Sequence, residues 1–161
     1  VSLIEDDTSA YPTTLIPGCA SAALLFCKGR IGVGDGYWYK DSGISDVACV
    51  DIDQTTIGQY RMVYPSAWSY VLADPFTWAA QQTRTWDIVS VDIPEDVTGD
   101  LFASLPSWTV LASKYVVATI EGYNAEGDAG KAVPDGWTLS DVIKRAEYDD
   151  GRVYHWLVLS A

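Results

Sequence analysis

Four short apolar runs, each bounded by polar residues, constrain the fold of this chain more than any other feature. They cover residues 45–51, 68–74, 86–92 and 114–120, and the first three end in Asp51, Asp74 and Asp92. Most are rich in β-branched residues, and their apolar positions run together without strict alternation. Such a run reads as a strand covered on both faces, as in a parallel sheet. The segments between the runs suit short helices. Asp53 can N-cap residues 54–63, and Pro75 can open a helix running to about residue 82. Residues 100–105 allow another before Pro106. Strands alternating with helices imply βαβ units with right-handed crossovers. The expected fold is therefore α/β, a single doubly wound and mainly parallel sheet.

The C-terminal part reads differently. Residues 152–159 form a strand pattern directly after the turn signal Asp149-Asp150-Gly151. The partner strand is then residues 137–148, although Leu139, Val142, Ile143 and Ala146 also fit a helical stripe. The adjacent turn decides for an antiparallel C-terminal hairpin. Residues 121–136 contain Gly122, Gly127, Gly130 and Pro134 and read as an irregular loop. No repeat or linker divides the chain, so its 161 residues, 48% of them hydrophobic, are expected to form one domain over residues 1–161.

The local motif with most chemical content is Gly32-Val33-Gly34-Asp35-Gly36. Glycines let backbone approach a ligand closely, but turns of this composition also arise for structural reasons alone. The spacing adds weight. Asp51 ends a strand fifteen residues after Gly36, where an acid can accept hydrogen bonds from two ribose hydroxyls. The strand before the loop has two readings: it runs up to Arg30-Ile31, or it is the run 22–27, with residues 28–30 belonging to the loop.

Taken in order, the glycine loop, Val50-Asp51-Ile52, Ala73-Asp74-Pro75-Phe76 and the segment from Asp87 to Pro94 resemble the motifs of class I S-adenosylmethionine-dependent methyltransferases. The resemblance spans roughly residues 24–120. It implies a Rossmann-like methyltransferase fold with strand order 3-2-1-4-5-7-6 and S-adenosylmethionine as cofactor. Gly32, Gly34, Asp35 and Gly36 would wrap its methionine part. Asp51, with Ile52 beside it, would hold the ribose. Asp74 would meet the adenine amino group, with Pro75 and Phe76 beside the ring. Asp92 to Pro94 would border the methyl group, with Asp92 as catalytic base and Glu121 as the other nearby acid. Each acid also has a plainer reading as a helix cap, strongest for Asp53 and open for Asp92. Trp38, Tyr39, Trp78 and Trp156 read as core before substrate platform; residues 37–39, just after the loop, are the exceptions best placed to meet a substrate.

Charge narrows the acceptor. The formal net charge is −12, with 22 acidic against 10 basic residues, so binding to a phosphate backbone is disfavoured. Lys144, Arg145 and Arg152 are the only candidates for a basic patch. The acceptor is expected to be a small molecule or a protein. Cys19, Cys27 and Cys49 lack metal-ligand spacing and read as free thiols of a reducing compartment. No metal site is expected, and His155, the single histidine, sits in a strand pattern. The apolar stretch 15–27 is broken by Pro17-Gly18, is too short to span a bilayer, and follows acids instead of a basic leader. A cytoplasmic protein without membrane association is the expectation. Other functions compatible with these motifs are a small nucleotide- or NAD-binding oxidoreductase-like domain, an inactive methyltransferase-like interaction protein, and a purely structural domain.

Overall fold

Eight strands form one sheet in the order β1-β7-β8-β6-β5-β2-β3-β4. The computed structural model describes residues 1–27, 35–93, 101–122 and 133–161. In chain order the strands are β1 (Leu3–Asp6), β2 (Ser21–Leu25), β3 (Asp46–Asp51), β4 (Ser69–Leu72), β5 (Trp86–Val91), β6 (Ala112–Glu121), β7 (Thr138–Tyr148) and β8 (Val153–Ser160). The helices are α1 (Asp35–Asp41), α2 (Gln54–Val63), α3 (Pro75–Ala80) and α4 (Leu101–Thr109).

The apolar runs become the parallel half of the sheet. β2 pairs in parallel with β3 and β5, β3 with β4, and β5 with β6. β3, and β5 apart from partly buried Asp87, are buried almost throughout, which explains their unbroken apolar sequence. The tail is the expected hairpin: β7 pairs antiparallel with β8, and β8 with β6. Gly151 has φ +89° and its N–H donates to the Tyr148 carbonyl at 3.0 Å. The left-handed conformation that closes this turn is the one glycine adopts without strain.

Three expectations need correction. The sheet is more mixed than expected: four of its seven pairings are parallel and three antiparallel. One of these comes from β1, an exposed edge strand on β7 whose sequence carries no apolar pattern. The strand before the glycine loop is β2, which ends at Leu25, so the reading that carried it to Ile31 is wrong. Helix α4 does not stop before Pro106 but continues to Thr109. Trp108 is fully buried there, packs on Phe26 and Phe76, and donates from Nε1 to Ser104 Oγ at 3.0 Å. Burial of that ring offsets the helix hydrogen bond that proline cannot make. Residues 54–63 are helical as expected, with the Asp53 carboxylate accepting from the Thr55 N–H at 3.0 Å.

Two apolar clusters cover the faces of the sheet. One joins Phe26, Phe76, Trp78 and α4 to β2, β5, β6 and β8. The other joins Tyr39 of α1, Tyr60 of α2 and the segment around Tyr11 and Ile16 to Ala22, Ile88, Val117 and Trp156. Among the described residues no helix is long and apolar enough to cross a membrane.

Candidate functional site

The connections leave β2 for β3 and β4 on one side, then return to β5 and β6 on the other. The carboxyl ends of β2 and β5 therefore flank a topological switch point, where open α/β sheets bind ligands. Backbone bonds join the strand ends tightly. Phe26 N–H donates to the Val50 carbonyl at 3.0 Å, Ala73 N–H to Asp51 at 3.0 Å and Asp92 N–H to Leu25 at 3.1 Å. Phe26 takes φ +57°, a left-handed conformation costly for a bulky residue and common where a site constrains the chain. A cleft opens here, bounded by Phe26, Cys27, Asp35, Ser90, Asp92 and Arg145 among others.

Asp51 is wholly buried at the end of β3. Its Oδ1 accepts from the Asp53 N–H at 2.8 Å, whereas Oδ2 is buried with no hydrogen-bond partner among the described residues. An unsatisfied buried oxygen of this kind costs about 1–3 kcal/mol. A hydroxyl-bearing ligand would remove that cost, so the residues present fit a ribose. Next to it, Ile52 is 66% exposed, an apolar side chain open to a ligand.

Asp74 N-caps α3. Its Oδ2 accepts from Thr77 N–H at 3.1 Å and Thr77 Oγ1 at 2.8 Å, while Oδ1 makes no hydrogen bond to a described residue. Pro75 is buried in the first turn of α3. Phe76 packs its ring on Phe26 and Trp108, with centroids 5.7 and 4.7 Å away.

Gly32, Gly34 and Pro94 lie outside the described residues, as do Arg30, Ile31 and Asn124. Gly36 has a packing role that its motif did not suggest. A Cβ there would lie 2.9 Å from Cζ of Tyr64. That ring is stacked on Trp68 and tilted against Tyr60. Tyr39 is fully buried, in line with its core reading and not with the substrate exception, while Tyr37 is 39% exposed.

Asp35 belongs to a polar cluster that the motif did not reveal. Ser90 Oγ lies 3.0 Å from the Tyr11 hydroxyl, is hydrogen-bonded to Tyr39, and also bonds the Asp35 carboxyl. The two tyrosine hydroxyls are 2.7 Å apart. Burial raises Asp35 to about 6 against the opposing influence of the Ser90 hydrogen bond and Arg145. Burial, then the Asp35 charge, pushes both phenols above their ordinary range, so neither is an anion near neutral pH.

Asp92 follows β5. Its carboxylate accepts no hydrogen bond from a described residue, and the residues it would cap lie outside the described ones. Arg145 Nη1 stands 3.9 Å from Oδ2. Burial raises Asp92 to about 7; Arg145 opposes the rise and Asp35 adds to it. The side chain keeps 37% of its surface open to the cleft, and water entering there tempers the effect. Glu121 is exposed at the end of β6 and does not line the cleft. Cys27 does line it, but burial pushes its thiol well up, so it is a poor nucleophile.

Sequence reading missed Ser90 and Tyr11 as site residues and took Arg145 only as part of a basic patch. Ser90 left a weak signal as a polar residue within an apolar strand; Tyr11 left none. The candidate basic patch dissolves into pairs with acids. Lys144 Nζ lies 3.1 Å from Glu5 and 2.6 Å from Glu147, Arg152 Nε lies 2.8 Å from Asp150, and Arg145 turns to Asp92.

Counted from β2, the observed strands run 3-2-1-4-5-7-6, with β1 added at the outer edge. The chain has the class I methyltransferase fold. It superposes on the N-methyltransferase NodS from Bradyrhizobium japonicum with a TM-score of 0.65 and 12% identity, covering 95% of this chain and 92% of that one. NodS in complex with S-adenosyl-l-homocysteine matches at the same TM-score and identity, over 95% and 84%. Magnesium protoporphyrin IX methyltransferase from Synechocystis, with S-adenosylmethionine bound, matches with a TM-score of 0.66 and 14% identity over 95% and 77%. No protein-family model matches the sequence, and no curated protein is significantly similar to it.

Proposed function

We propose that residues 1–161 form one S-adenosylmethionine-dependent methyltransferase domain acting on a small-molecule or protein acceptor. The observation that carries this reading is the buried, unpartnered Oδ2 of Asp51, at the strand end where the fold offers a ribose site. S-adenosylmethionine supplies an electrophilic methyl group on a sulfonium. Asp51 would accept hydrogen bonds from the ribose hydroxyls, Ile52 would lie against the adenosine, and Oδ1 of Asp74, unbonded among the described residues, would receive the adenine amino group beside Pro75 and Phe76. Gly32, Gly34, Asp35 and Gly36 would hold the methionine end.

Methyl transfer depends mainly on in-line placement. The acceptor lone pair forms its bond to the methyl carbon as the carbon–sulfur bond breaks. The acceptor's proton passes to Asp92, whose value of about 7 suits a base at neutral pH. The net charge of −12 favours acceptors other than nucleic acid. Three free thiols fit a reducing, cytoplasmic setting. Calorimetry with S-adenosylmethionine, S-adenosylhomocysteine and NAD tests the reading. Binding of the two adenosyl ligands without NAD is expected; binding of NAD alone would make the domain oxidoreductase-like.

A further inference from the structure

Arg145 is the extra residue of a β-bulge. Between Lys144 and Ala146 the register of β7 on β8 advances two residues against one, from His155 to Tyr154. Bulges re-aim side chains and recur beside active sites. Lys144 pairs with Glu5 and Glu147. Arg145 instead crosses the sheet, with its guanidinium 5.5 Å over the Trp156 ring and Nη1 3.9 Å from Asp92. That separation exceeds hydrogen-bond length. The guanidinium donates no hydrogen bond to a described residue, and the Asp92 carboxylate accepts none. A five-donor fork and a carboxylate thus face one cleft, close enough to attract yet unbonded. The ring beneath Arg145 holds the fork in place before any ligand arrives.

Position assigns this pair to the acceptor. Asp51 and Asp74 lie at the ends of β3 and beyond β4, on one side of β2, where the donor's nucleoside belongs. Asp92 and Arg145 lie on the other side, just past β5 and on β7. A guanidinium fork matches a planar carboxylate bidentately. Asp35 and Asp92 in the same cleft disfavour a dianion, but a single carboxylate next to an amine or hydroxyl meets both signs of charge.

We infer that Arg145 binds a carboxylate of a small acceptor, setting the acceptor's neighbouring amine or hydroxyl against Asp92. This rests on the methyltransferase reading for the role of the bound molecule. The test is calorimetric titration of wild type, Arg145→Met and Arg145→Lys with aliphatic and aromatic amino- and hydroxy-carboxylates, each paired with its primary carboxamide. Titrations are run with and without saturating S-adenosylhomocysteine. At least one acid should bind wild type tenfold or more tightly than its amide. Arg145→Met should erase that preference and Arg145→Lys should keep part of it, with both variants melting as wild type does. Equal binding of every acid and amide, a preference surviving in Arg145→Met, or no binding acid in the panel overturns the inference. So does the finding that Arg145→Met weakens S-adenosylhomocysteine tenfold but spares its decarboxylated analogue, which would assign the carboxylate to the donor. Failure of S-adenosylhomocysteine to bind wild type refutes the donor reading separately, because the panel without it still reports on Arg145.

Discussion

Replacing Asp51 with alanine separates a ligand-binding carboxylate from a structural one. In the free protein the substitution removes the 2.8 Å bond from the Asp53 N–H and also removes the orphaned Oδ2. The first change costs about 1.5–3 kcal/mol for a charged acceptor, and the second returns about 1–3 kcal/mol. Urea melts should therefore place the free variant within about 2 kcal/mol of wild type. Bound ligand should expose the difference. At one hundred times its dissociation constant, S-adenosylhomocysteine stabilises wild type by about 2.7 kcal/mol. Loss of the ribose hydrogen bonds weakens binding by about 1.5–3 kcal/mol. At the same ligand concentration the stabilisation falls to roughly 0.3–1.3 kcal/mol. For a domain of this size, the thermal shift should drop from about 5–11 °C to about 1–5 °C. Equal shifts in folded wild type and variant would refute the ribose assignment.

Asp92→Ala should lower methyl transfer roughly 10²–10⁴-fold while changing donor affinity little, as kinetics and calorimetry on the same preparation can show. A purely structural Asp92 would lower the melting temperature and leave turnover per folded molecule intact. The raised values of Asp35 (about 6) and Asp92 (about 7) also carry a stability signature. Between about pH 4, where these acids ionise in the unfolded chain, and pH 7 the folded state holds more protons. These two groups therefore make stability fall as pH rises through that window. Asp35→Asn and Asp92→Asn should each flatten that fall by on the order of 1–2 kcal/mol, discounted for solvent reaching the cleft; equal slopes in wild type and variant urea melts would count against it. Gly36→Ala should destabilise by about 1–3 kcal/mol, because the new methyl meets a Tyr64 ring held between Tyr60 and Trp68. Truncating Tyr64 in the same chain should recover part of that difference in a double-mutant cycle.

Three of the apolar runs by themselves determined the parallel core, since a strand buried on both faces must be apolar throughout; the run at 68–74 became the partly exposed edge strand β4, because no further strand pairs with it. Local chemistry likewise determined the Asp53 cap, the Pro75 helix start and the Gly151 turn, because each depends on a few adjacent residues. The spacing of Asp51, Asp74 and Asp92 marked the strand ends that gather at the switch point. Only tertiary structure decided the rest. Strand β1 exists because the edge of β7 offers it hydrogen bonds, and α4 passes Pro106 because Trp108 is buried beyond it. The cleft's electrostatics join Asp35 of α1 to Ser90 of β5 and Tyr11 of the N-terminal segment, positions far apart in the chain. Arg145 reaches Asp92 through a bulge, which depends on the pairing of two strands and leaves no mark in the sequence of either. Burial and through-space charge set the proton affinities of this site, and both come into being only when distant segments pack together.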